Sequence, residues 1–171
     1  MSTKKETAPD IHGLKSGTPV PDVKVKTLDG RLQGFRELSG EKGIIVAFVR
    51  SLGWCPFCKK QIRELDSIKS ELSDLGWTIA SLSYDPIDVL ATFKEKHSIA
   101  LELLSDEGSI AIDAFNLRNE RVKPGGKSVG VPHPAVVFIG QDGIVKETLQ
   151  IKGYQKRPDP SEVLSVAAGL N

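Results

Sequence analysis

The chain holds two cysteines, Cys55 and Cys58, two residues apart in the run Trp54-Cys55-Pro56-Phe57-Cys58. A Cys-x-x-Cys pair either contributes to a metal site or cycles between dithiol and disulfide. Structural zinc asks for four ligands, and beyond the pair the chain offers His12, His97 and His133. A metal on this pair would have to be shared between subunits, so a non-catalytic metal-binding module stands as one reading. The redox reading needs a thiolate, because the thiolate is the nucleophile. Cys55 is expected where a helix begins, and the unpaired N–H groups there favour negative charge. Lys59, Lys60 and Arg63 follow within the first turns and add positive potential, although any one of them reads equally well as part of a solvated face. Pro56 suits the first helical turn, where its missing N–H costs nothing. A separation of three on a helical turn lets the sulfurs meet, so an oxidised one can be attacked by its neighbour. With no third cysteine, a catalytic cycle closes within the pair or through a partner's thiol.

Holding such a pair requires a rigid strand before it and a helix after it. Residues 43–49, "GIIVAFV", are a continuous apolar run that predicts a strand buried on both faces. After the pair, Ile62, Leu65, Ile68, Leu72 and Leu75 recur at helical spacing, which predicts one helix stopped by Gly76. Upstream, Val23 and Val25, the Asp29-Gly30 turn and Leu32 predict a hairpin. Downstream, residues 77–83 read as a buried strand, and Asp85-Pro86 with Asp88 as the capped start of a helix reaching His97. A short strand at 101–105 and a short helix at 108–117 follow. Residues 133–151 predict two strands around Asp142-Gly143, and Asp159-Pro160 with Glu162 a closing helix ending near Gly169. The order predicts an α/β protein whose mixed sheet is flanked by helices, parallel in its first half and antiparallel in its second. The Gly/Pro-rich run at 121–132 predicts a mobile loop between the halves.

At 171 residues the chain suffices for one domain with a full hydrophobic core. Its formal net charge of +1 offers no field for nucleic acid or anionic lipid, so small molecules or proteins are the expected partners. Residues 1–16 are polar and aperiodic and predict a flexible arm ahead of a domain spanning 17–171. The N-terminus lacks the apolar stretch of a secretory signal, and no run reaches the ~20 residues of a membrane span, so a cytoplasmic location is expected.

A strand, then "WCPFC", then a helix, with "VPHPAVVFI" much later, resembles the thioredoxin superfamily from about Gly17 onward. That resemblance implies a thioredoxin-like fold in which a cis-proline opens the later strand and packs against the pair, with Pro134 the better match and Pro132 the weaker. Within the superfamily, "TPVPDVKVKTLDG" and "LLSDEGSIAIDAFNL" are similar to the peroxiredoxin-like branch, the alkyl hydroperoxide reductase and thiol-specific antioxidant family. This branch implies reduction of a hydroperoxide by a cysteine that passes through a sulfenic acid, with no cofactor. It also implies recycling by an external dithiol such as a thioredoxin-like protein, or by a low-molecular-weight thiol; a homodimer is one assembly open to it.

The chain departs from the branch's Pro-x-x-x-Thr-x-x-Cys pattern with its distant arginine. If Cys58 takes the peroxidatic place, Cys55 stands at the threonine, Ser51 at the proline and Pro134 at the arginine. Gln61 then matches a Glu or Gln often found three residues on. By the thioredoxin logic Cys55 is instead the exposed nucleophile and Cys58 the resolving thiol, and the reading leans to Cys55. Arg50 could replace the missing arginine as the cation that polarises the peroxide. His133, beside the expected cis-proline, could serve as the base for the second thiol. Three functions follow: peroxide reduction first, general thiol–disulfide exchange second, the shared-metal module third.

Overall fold

The structure, a computed structural model, describes residues 12–170. Of the expected arm, residues 1–11 therefore lie outside the described residues. Residues 12–17 run along the body: the His12 N–H donates to Gln150 Oε1 at 2.9 Å and the Gly17 N–H to the Val145 carbonyl at 2.7 Å. The expected hairpin is formed by β1 (Val25–Lys26) and β2 (Leu32–Gln33), and α1 (Phe35–Leu38) follows.

The apolar run becomes β3 (Gly43–Phe48), every residue of it buried. Its first residue must be glycine, since a Cβ there would lie 2.0 Å from the Ile139 carbonyl oxygen. After the cysteine segment come α2 (Pro56–Asp66), α3 (Lys69–Asp74) and β4 (Trp77–Ser83). They lead to α4 (Ile87–His97), β5 (Glu102–Ser105) and α5 (Ile110–Ala114). The chain closes with β6 (Ala135–Gly140), β7 (Val145–Leu149) and α6 (Pro160–Gly169). One sheet results, in the order β2-β1-β5-β4-β3-β6-β7. β3, β4 and β5 run parallel, while β6 pairs antiparallel with β3 and β7, as the pattern predicted.

Alternation along β3 sends its side chains into two cores. Ile45, Ala47 and Val49 meet Ile62 and Leu65 of α2, Leu72 of α3, Leu90 and Phe93 of α4, and Val163 and Ala167 of α6. Ile44, Val46 and Phe48 pack on the opposite face against Phe35, Ile112 and Phe115. Covering both faces with helices is what allows the central strands to be apolar throughout.

Three local expectations are corrected. The single helix predicted to reach Gly76 is two, broken at Ser67–Ile68. Asp66 Oδ1 accepts from the N–H groups of Ala100 and Leu101 at 2.9 Å each, and Ser67 Oγ donates to the Glu64 carbonyl at 2.5 Å, which diverts the chain there. The apolar spacing survives the break because Ile68 and Leu72 still face the core. Asp85 does not cap α4, whose N-cap is Pro86 without a side-chain bond; the carboxylate serves the cysteine loop instead. Finally, the described residues contain no cis peptide bond, so Pro134 precedes β6 in trans.

Candidate active site

The end of β3 hands the chain to Arg50 and then to a loop, residues 51–54, that turns it into α2. Asp85, buried beyond the end of β4, holds that loop. Its carboxylate accepts from Ser51 Oγ, from the Leu52 N–H and from Ser83 Oγ, all at 2.7 Å. Ser51 Oγ in turn accepts from the Gly53 N–H at 2.9 Å and the Trp54 N–H at 3.3 Å. Every turn of the loop is thus referred back to one buried carboxylate.

Cys55 is the N-cap of α2 and Pro56 its first residue, as expected. Cys55 Sγ accepts from the Cys58 N–H at 3.3 Å, and the Cys58 thiol donates to it across 2.6 Å. The Arg50 N–H lies 3.2 Å from Cys58 Sγ. Arg157 approaches from the segment between β7 and α6. Its Nη2 stands 3.3 Å from Cys58 Sγ and 3.9 Å from Cys55 Sγ, its Nη1 donates to Gln61 Oε1 at 2.8 Å, and its Nε donates to the Tyr154 carbonyl at 2.9 Å. Both cysteines are free thiols, and both residues are buried.

These contacts separate the two thiols. The Cys58 donor, the Cys58 N–H, Arg157 and Arg50 together pull Cys55 down to about 5, against the cost of burial. Cys58 is pushed far up, first by burial and then by the bond that keeps its proton directed at Cys55. The pair therefore presents a thiolate at Cys55 and a proton at Cys58 near neutral pH.

The sequence-predicted residues fare unequally. Arg50 stacks its guanidinium over Trp54 at 4.9 Å and over Tyr154 at 4.5 Å. Trp54 also has Lys127 at 5.0 Å and donates its Nε1–H to the Tyr84 hydroxyl at 2.9 Å. Tyr84 donates onward to the Lys127 carbonyl, so the predicted mobile loop is pinned to Trp54. Pro134 lies one step beyond the last β3–β6 pair, Phe48 with Ala135, and lines a cavity with Arg50 and His133. His133 stacks on His12 at 3.5 Å, with its Nε2 3.8 Å from Glu120. Lys59, Lys60 and Arg63 do not supply the positive potential: Lys60 pairs with Glu64 at 3.8 Å, and Lys59 and Arg63 act on His97 at the far side of α2. Helical geometry turns them outward while the sulfurs face the sheet. Among the described residues no group of three or more His, Cys, Asp or Glu side chains is placed to hold a metal.

Arg157 was missed, and so was the role of Asp85. Only the absence of the family's arginine at Pro134 hinted that a cation must come from elsewhere. Arg157 stands 99 positions after Cys58 and belongs to no motif.

A buried dithiol, split into thiolate and thiol where a central strand enters a helix, on a mixed sheet covered on both faces, defines a redox-active protein of thioredoxin-like fold. The AhpC/TSA family model matches residues 16–148, and the chain belongs to that family. The match ends before Arg157. Among curated relatives, a putative peroxiredoxin bcp of Coxiella burnetii is 22% identical over 77% of this chain and 85% of its own length. The thiol-disulfide oxidoreductase ResA of Bacillus thuringiensis is 24% identical over 88% and 83%. Among solved structures, peroxidoxin BcpB of Mycobacterium tuberculosis superposes with a TM-score of 0.75 at 18% identity, over 92% of this chain and 96% of that one. A peroxiredoxin-like protein from Aquifex aeolicus reaches 0.77 at 20% identity, over 93% and 89%.

Proposed function

We propose that the protein is a peroxiredoxin-like thiol peroxidase in which Cys55 attacks the hydroperoxide and Cys58 resolves the product. The observation that carries this reading is the Cys55 sulfur receiving both the thiol and the N–H of Cys58 while facing Arg157. The Cys55 thiolate attacks the distal peroxide oxygen, the O–O bond breaks, and the departing alkoxide takes a proton from solvent to leave as an alcohol. Arg157 and the Arg50 side stabilise the charge that builds on the oxygens. Cys58 then attacks the sulfenic sulfur, its proton leaves with the hydroxyl as water, and the Cys55–Cys58 disulfide forms. Two electrons from an external dithiol, which becomes a disulfide itself, restore the pair.

Thiol–disulfide exchange is the second reading, supported by Cys58 lying shielded one turn below Cys55 and by the ResA relative. Mixing the reduced protein with hydrogen peroxide separates the two. Rapid loss of two thiols per chain, abolished in Cys55→Ser and stopping at a trappable sulfenic acid in Cys58→Ser, supports the peroxidase. Slow thiol loss alongside fast reduction of insulin disulfides overturns it in favour of exchange.

A further inference from the structure

Arg157 brings its guanidinium to both sulfurs, yet it sits in a stretch between β7 and α6 that contains no helix or strand. Residues 151–156 of that stretch are all exposed. Backbone of this kind keeps one conformation only where side chains tie it to the body of the protein.

Tyr154 supplies such a tie. Its ring lies 4.5 Å from the Arg50 guanidinium and, edge-on, 5.8 Å from the Phe57 ring. Arg50 stands just beyond the end of β3, with its N–H 3.2 Å from Cys58 Sγ, and Phe57 lies between the two cysteines in the first turn of α2. The ring is therefore held between the two elements that carry the sulfurs. Its Arg50 side is itself fixed, since the same guanidinium stacks on Trp54 at 4.9 Å, and Trp54 Nε1 donates to the Tyr84 hydroxyl at 2.9 Å. A cation over one aromatic ring and a second ring at its edge together favour the clasped arrangement by roughly tenfold or more.

The carbonyl of the same residue accepts from Arg157 Nε at 2.9 Å, so it goes where the ring is placed. A guanidinium is planar and rigid. Held at Nη1 alone, by Gln61 Oε1 at 2.8 Å, it could swing about that one bond. Held at Nε as well, it has one direction left for Nη2, and that direction ends 3.3 Å from Cys58 Sγ and 3.9 Å from Cys55 Sγ.

We infer that Tyr154 is a positioning residue: its ring, clasped between Arg50 and Phe57, places the carbonyl that orients Arg157 onto the sulfurs. Its effect on the rate of peroxide reduction rests on the peroxidase reading, whereas its effect on the Cys55 thiolate stands apart from it. Both clasping contacts belong to the ring, so a phenylalanine performs the same task.

Tyr154→Ala, Tyr154→Phe, Arg157→Gln and the double variant Tyr154→Ala/Arg157→Gln, each in the full chain, test it. The ring is 44% exposed and belongs to neither core cluster, so its removal leaves the fold in place. The pH midpoint of Cys55 alkylation in the reduced protein is read first, because it needs no peroxide. Tyr154→Ala is expected to raise that midpoint by about half a pH unit. Tyr154→Phe should keep the midpoint of the unaltered protein, and the double variant should match Arg157→Gln alone. Thiol loss to hydrogen peroxide should follow the same order, slower on the order of tenfold in Tyr154→Ala. An unmoved midpoint in Tyr154→Ala, an equal shift in Tyr154→Phe, or a further shift in the double variant overturns the inference. The expected midpoints in a protein whose thiols hydrogen peroxide does not oxidise overturn the peroxidase reading and leave Tyr154 its positioning role.

Discussion

Cys55 loses its proton easily because Cys58 donates to it, and the same bond, together with burial, keeps the proton on Cys58. Thiol alkylation should therefore switch on as pH rises through about 5 and stay level through neutrality, with one thiol reacting per chain. The folded Cys55 value lies below the ordinary thiol value of 9.0. Its contribution to stability is accordingly complete above that value and is lost as pH falls towards 5, whereas Cys58, shifted the other way, favours the fold below it. Arg157 is the other determinant. Replacing it in Arg157→Gln should move the alkylation midpoint upward by about one pH unit. The same variant should lower kcat/KM for peroxide on the order of a hundredfold, as loss of one oxyanion donor does. An unchanged midpoint would show that Arg157 merely covers the sulfurs.

The strand-to-helix junction depends on Asp85 more than on any residue within it. Asp85→Ala leaves Ser51 Oγ, Ser83 Oγ and the Leu52 N–H buried without their acceptor. Urea denaturation should report a loss of about 3 kcal/mol, with Asp85→Asn recovering roughly half. The junction itself was legible: β3, the N-cap at Cys55 and Pro56 in the first turn all follow from local chemistry. The α2–α3 break was not, because its cause is a carboxylate bonded to backbone 34 and 35 positions away. Nor was the withdrawal of Asp85 from its capping role, since a helix start looks the same whether or not a distant loop claims the side chain.

Across the whole molecule, residues 150–158 leave β7 at the same end of the sheet as the end of β3 and close over the site there. Tyr154 packs edge-on to Phe57 at 5.8 Å and under Arg50, and Arg157 spans both sulfurs. Formation of the disulfide removes the anion that Arg157 faces. Limited trypsin digestion after Lys152 or Lys156 should accordingly be several-fold faster in the oxidised protein than in the reduced one; equal rates would show that the segment is held by its aromatic contacts alone. No helix among the described residues is long and apolar enough to cross a membrane.

Sequence alone determined the strand, the cysteine pair at a helix start, the mixed sheet and the AhpC/TSA resemblance, because periodicity, capping and motif spacing act over a few residues. Tertiary structure decided what sets the two sulfurs apart: the Cys58 thiol donates to Cys55 and lowers its pKa, and Arg157 and Arg50 add to that effect. Those depend on distances across the sheet, where Arg157 and Asp85 reach Cys58 and Ser51 from 99 and 34 positions away. A Coulomb interaction or a hydrogen bond is set by separation in space, and separation along the chain carries almost no information about it.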